Sequence, residues 1–168
     1  MWLCGKATIL LSVMLFWMIS AGQTQPASQK GLELFTSQEA AQLRLTAEEW
    51  QTPARKRALP AGPRIVIQRP QVIESTDGPI LETISLTDFF VFFEANQAPI
   101  DMDSLRITAK KGLFSKSLTD RLRPYIQGMG LQAKAVTIPA GRFLIQIEIA
   151  DQRGAKTDGR YLLRVQEQ

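Results

Sequence analysis

The sequence predicts an all-β sandwich of about seven strands, carried behind a leader and a short helical arm. Three observations lead there. Phe143, Ile145, Ile147 and Ile149 alternate with Gln146 and Glu148, a period of two sustained over a whole strand. Turn formers recur between such segments at short spacings. The composition is that of one globular domain with an appendage: 168 residues, 45% hydrophobic and 21% charged. That balance argues against wholesale disorder and against a multi-span membrane protein.

The leader comes first. Lys6 precedes the uncharged, mostly apolar run from Ala7 to Ile19, and Ser20-Ala21-Gly22 places small residues at a cleavage site. Residues 1–22 therefore read as a secretory signal peptide. The run falls short of the roughly 20 apolar residues that span a bilayer, so cleavage is expected rather than retention as an anchor. The expected location is the periplasm or cell envelope. Cys4 is the only cysteine and would leave with the leader.

Residues 23–50 form the arm. Gln23 to Lys30 is polar, and two Thr-x-x-Glu boxes follow, Thr36 to Glu39 and Thr46 to Glu49. Each box satisfies exposed amide donors at a helix start, so two short helices are expected, the second closing at Trp50 before Pro53. Leu34, Phe35, Leu43 and Trp50 are too apolar to sit in water, which predicts that the arm docks on its own domain. Residues 51–63 (QTPARKRALPAGP) read as a Pro- and Arg-rich linker. Arg55, Lys56 and Arg57 are the candidate binding residues, for an anionic partner; a solvated linker is the plainer role for three charges.

From Arg64 to the end, residues 64–168, the chain reads as strands. Ile65 and Ile67 mark the first, ending before Pro70. Leu105, Ile107 and Ala109 alternate with Arg106, Thr108 and Lys110; Tyr161, Leu163 and Val165 alternate with Arg164 and Gln166. Phe89 to Phe93 is apolar on both faces and reads as a central strand covered on both sides. Leu131 to Ile138 is a less regular strand stopped by Pro139. Thr76 to Pro79 and Ile138 to Gly141 are turns, Asp151 to Gly159 joins two strands as a hairpin, and Ser117 to Ile126 holds a helical turn.

Within this stretch Pro99-Ile100-Asp101, Ser104-Leu105-x-Ile107, Leu118 to Leu122, Ile138 to Arg142 and Asp151-x-x-Gly154 follow one another in order. That order resembles the immunoglobulin-like β-sandwich domains of exported bacterial proteins, including cadherin-like and invasin-like modules. The resemblance covers residues 63 to 168 and implies an adhesion, spacer or docking role with no catalytic set. The Cys-Trp-Cys core of antibody domains is missing.

Chemistry is limited by what the chain lacks. It contains no His, and its single Cys lies in the leader. His-based triads, Cys-His pairs, His-ligated metals and intrachain disulfides are thereby excluded. No cofactor and no metal is expected. Asp101, Asp103, Asp151 and Asp158 do not assemble the oxygen cage that calcium needs; Asp151 and Gly154 read as loop makers. Glu74, Asp77, Glu82, Asp88 and Glu94 are possible acid–base carboxylates, and Ser115-Lys116-Ser117 superficially suggests a Ser-Lys nucleophile in a polar loop.

The net charge of +4, without a long basic tract, does not suggest a nucleic-acid binder. The function expected is a non-enzymatic exported interaction or structural module of the bacterial envelope. Its expected partner is another envelope or exported protein, with membrane contact only before leader cleavage. A glycan or cell-wall polymer binder and a small carboxylate-dependent hydrolase are the alternatives. Leu43 and Trp50 are expected to cover the outer face of the sheet containing Phe89 to Phe93.

Overall fold

Alternating side chains close residues 64–166 into two facing sheets. The computed structural model describes residues 31–50, 61–76 and 78–167. The leader, Gln23 to Lys30, Asp77 and the basic trio Arg55, Lys56 and Arg57 lie outside the described residues. In chain order the elements are α1 (Ser37–Leu43), α2 (Ala47–Trp50), β1 (Arg64–Arg69), β2 (Gln71–Ser75), β3 (Gly78–Ile84), β4 (Leu86–Glu94) and β5 (Ile100–Lys111). Then come β6 (Phe114–Ser117), α3 (Thr119–Leu122), a 3-10 turn (Arg123–Tyr125), β7 (Ile126–Gln127), β8 (Gly130–Thr137), β9 (Gly141–Asp151) and β10 (Lys156–Gln166).

One sheet has the order β1-β4-β8-β7 and the other β2-β3-β10-β9-β5-β6. The neighbours are antiparallel except β3 and β10, which run parallel with Ile80 opposite Leu162. The first order is that of immunoglobulin strands A-B-E-D, and β10-β9-β5-β6 is that of G-F-C-C′. The domain is an immunoglobulin-like sandwich. Where an antibody domain joins strands B and F by a disulfide, this chain sets Phe89, Val91 and Phe93 of β4 and Phe143, Ile145, Ile147 and Ile149 of β9, all at most 2% exposed.

Strand β4 is central between β1 and β8, as its double apolarity predicts. Its inward residues are buried, but Phe90 and Phe92 on the outer face are only half-buried. The Phe92 ring lies over Gly130 of β8, where any Cβ would meet it at 2.9 Å. The irregularity of β8 is a bulge. Register slips between Thr87 and Phe89, Ala135 takes φ 51°, and Asp88 Oδ1 accepts the Ala135 amide at 3.2 Å. An extra residue that kinks a strand breaks the two-residue period, which is what the sequence displays there.

Both capping boxes form. Thr36 and Glu39 bond each other's backbone amides at 3.0 and 3.2 Å, and Thr46 and Glu49 do so at 2.8 and 3.2 Å. The arm docks on the sandwich, but not where Leu43 and Trp50 were expected to go. Leu34, Phe35, Ala40 and Leu43 join the inter-sheet core, and the Phe35 ring stacks on Phe143 at 4.9 Å. Trp50 instead covers Arg142 and Arg164, on the outer face of the six-stranded sheet, 5.6 and 5.3 Å from its ring centroid.

The reason is geometric. The open end between two sheets surrounds an apolar side chain on several sides, whereas the outer face of β4 contacts it on one. The backbone fixes the choice. Residues 32–34 bond along Thr137 of β8, and the Leu45 amide donates to Arg142 O at 2.8 Å. The arm is thus stitched to both sheets.

Candidate interaction surface at one end of the sandwich

Strand register decides which turns share an end. Gln166 of β10 lies opposite Ile84, Val165 opposite Gly141, and Lys110 of β5 opposite Leu144. The β3–β4 turn, the β5–β6 turn, the β8–β9 loop and arm residues 44–46 therefore gather at one end. Glu94 of β4 and the β7–β8 turn mark the other.

Exposed apolar side chains concentrate at that first end. Leu113 is 103% exposed on the two-residue β5–β6 turn and Phe114 68% at the first position of β6, with Leu86 at 52% and Ile84 at 45% flanking the β3–β4 turn. Of the other large apolar residues exposed to this degree, Ile73 is on β2 and Met129 is at the far end. Gly112 opens the turn with φ +54°, which lets the chain reverse within two residues and leaves Leu113 at the summit.

Cations surround the tip. The paired part of the hairpin, Thr108 to Ser117, carries Lys110, Lys111 and Lys116 and no carboxylate; Asp101, Asp103 and Arg106 lie farther down β5. Lys111 Nζ donates to Arg44 O at 2.8 Å and lies 3.7 Å from Glu49; Lys116 lies 2.8 Å from Glu39. Lys110 has no ion pair among the described residues. Beside the tip, a shallow cleft of about 340 Å³ is lined by Arg44, Gly141, Arg142 and Glu167 among others. Gly141 takes φ +152°, which other residues rarely adopt, and it lets Arg44 pass close by, whose guanidinium donates to Ala140 O at 2.6 Å.

The strongest electrostatic feature holds the arm. Arg121 donates two bonds to Glu39, at 2.7 and 2.8 Å, and a third to Leu34 O at 2.9 Å. The Arg121 bond, helped by Lys116 and the Thr36 amide, holds the Glu39 carboxyl down to about 2 against the opposing effect of burial. The same pairing pushes Arg121 up. The Thr46 amide lowers Glu49. Burial, with the Glu74 charge second, pushes Tyr161 up to about 12.

Of the possible acid–base carboxylates, Asp77 lies outside the described residues, Glu74 is on β2, and the others have structural partners. Glu82 pairs with Arg164 at 2.5 Å, Glu94 pairs with Arg64, and Asp88 serves the β8 bulge. Ser115-Lys116-Ser117 is strand β6 rather than a loop, paired to β5 through residues too few and too polar to show a period. Asp151 is 3% exposed, and its Oδ1 accepts the Arg153 and Ala155 amides at 2.9 Å each, while Gly154 takes φ 83°. That pair is the loop maker its sequence implies. Asp101 Oδ1 accepts the Asp103 amide at 3.1 Å, a turn contact.

Leu113 and Phe114 escaped the sequence reading. The available signal was Lys110-Lys111-Gly112: a turn placed there puts Leu113 at its summit and Phe114 at the start of the return strand instead of in a core.

No family model and no curated protein matches the chain. Among solved structures it is similar to CopC from Methylosinus trichosporium OB3b, at 13% identity over 51% of this chain and 83% of that one, with a TM-score of 0.29. It is also similar to murine CRIg, at 8% identity over 62% of this chain and 98% of that one, with a TM-score of 0.34. The immunoglobulin-like assignment rests on strand order. Among the described residues no helix is long and apolar enough to cross a membrane.

Proposed function

We propose that this chain is a non-enzymatic interaction module of the bacterial cell envelope, exported by its leader. The observation that carries the reading is the gathering of Ile84, Leu86, Leu113 and Phe114 in water at one end of an otherwise well-packed sandwich. Large apolar side chains left in water are costly, and four at one end of the domain mark that end as one that something covers in the cell. The groups with shifted ionisation support the same reading. Glu39 and Arg121 fasten the arm, Glu49 caps a helix and Tyr161 is packed beside the core, so each has a structural employment.

The partner is another envelope or exported protein, and a cadherin-like or invasin-like role as an adhesion or docking unit fits it. Arg55, Lys56 and Arg57 supply an additional contact for an anionic surface of that partner. The test is photo-crosslinking in intact cells, with the crosslinker introduced singly at Leu113, Arg142, Met129 and Arg153. Adducts with one exported protein, from a chain recovered in the envelope fraction, support the module. A folded chain recovered from the cytoplasm, or one silent at all four positions, refutes it.

A further inference from the structure

We infer that the β5–β6 turn is a membrane-docking wedge, with Leu113 and Phe114 entering the interfacial layer of an anionic lipid bilayer and Lys110, which has no ion pair among the described residues, seated on its headgroups. The inference rests on the envelope reading above and departs from the expectation that the mature chain leaves the membrane.

Shape argues first. Protein interfaces bury broad patches around a packed centre. Here the two most exposed large apolar side chains among the described residues stand at the tip of the hairpin, Leu113 in its two-residue turn at 103% and Phe114 at the first position of β6 at 68%, with nothing within 4 Å of where a Gly112 Cβ would point. A narrow apolar protrusion fits a deformable lipid interface, which needs no matching pocket. The order of chemistry along the protrusion argues second. Apolar residues occupy the tip, and lysines follow immediately on both strands, Lys110 and Lys111 before it and Lys116 after it. Long lysine stems cover apolar surface while their ammonium groups reach phosphates.

Charge argues third. The paired part of the hairpin, Thr108 to Ser117, carries three cations and no carboxylate, while Asp101 and Asp103 lie farther down β5, away from the tip. Glu39 and Glu49 of the arm engage Lys116 and Lys111, but Lys110 keeps its charge unpaired among the described residues. Each cation near an anionic surface adds about fivefold to binding, and burying each large apolar side chain adds about tenfold or more. Ile84 and Leu86, at the same end, offer a second foothold when the domain tilts.

The experiment places an environment-sensitive fluorophore at the tip of the full chain. In a Cys4→Ser background, Leu113→Cys and, as the far-end control, Met129→Cys are labelled with NBD. Each is mixed with vesicles of phosphatidylcholine plus phosphatidylglycerol, or of phosphatidylcholine alone. The expected result is a blue shift and quenching by lipid-borne spin labels at position 113 on the anionic vesicles, weaker on the neutral ones, and no change at 129. Phe114→Ser in the Leu113→Cys chain should shift the half-saturating lipid concentration upward severalfold.

An unchanged spectrum at 113, or equal shifts at 113 and 129, overturns the inference. So does a lipid-independent blue shift that grows with protein concentration, since a second copy would then cover the tip. A protein adduct from the crosslinker at Leu113 in cells also overturns it, yet leaves the envelope module standing. Silence at all four crosslinking positions strikes the module instead.

Discussion

Replacing Glu39 with Gln tests how the arm is held. The Glu39 carboxyl sits at about 2 in the folded chain against an ordinary 4.5, with Arg121 as the main cause. A gap of that size corresponds to about 3 kcal/mol of stabilisation when the carboxylate is fully ionised. Arg121 and Lys116 are 30% and 45% exposed, so water screens part of the interaction and about 1–2 kcal/mol remains. Because the folded value is depressed, the contribution is complete at neutral pH. It declines as pH falls from 4.5 toward about 2. Gln keeps an oxygen for the Thr36 amide and nearly the same volume, so the substitution removes charge with little change in packing. Urea unfolding at neutral pH should show Glu39→Gln less stable by about 1–2 kcal/mol. Near pH ~2 the two proteins should converge. An equal gap at both pH values would assign the effect to packing, and no gap at neutral pH would mean that the ion cluster does not hold the arm.

Tyr161→Phe should differ little at neutral pH but become relatively more stable in alkali. The wild-type hydroxyl is pushed from 10.0 to about 12, so its stabilising effect fades as pH rises across that interval; urea melts on both sides of it test this. Asp151→Ala should cost about 2–3 kcal/mol by orphaning two loop amides, and Asp151→Asn should recover much of that through its remaining oxygen. Trp50→Ala should cost about 1–3 kcal/mol and speed hydrogen exchange around Arg142 and Arg164, on the central strands of the sheet; unchanged exchange there would separate Trp50 from the sandwich.

Much of the fold was legible because alternation survives wherever a strand has one core face and one wet face. Strand β5 announced itself that way; β9 and β10 did so by the polarity of their second face, although Gln146 and Leu162 on it are each only 3% exposed, and Asp151 with Gly154 announced the loop between the last two. Strand β7 has two residues and β6 four, too short for any period. Strands β2 and β3 carry half-covered residues on both faces, so their alternation is blurred. The destination of the arm was hidden for a different reason. Leu43 and Trp50 are apolar wherever they dock, and only assembly of both sheets creates the open end beside Phe143. The tip was hidden because an exposed Leu-Phe pair and a buried one are spelled alike; exposure is a property of the turn that carries them.

Carbene footprinting of the chain in its native envelope, compared with the purified protein, tests most directly whether this end of the sandwich is the working surface. Labelling should fall at Ile84, Leu86, Leu113 and Phe114 in the envelope and stay unchanged at Met129, which lies at the opposite end. Equal labelling of the tip in both preparations, or loss centred on Met129, would contradict a docking role for this end.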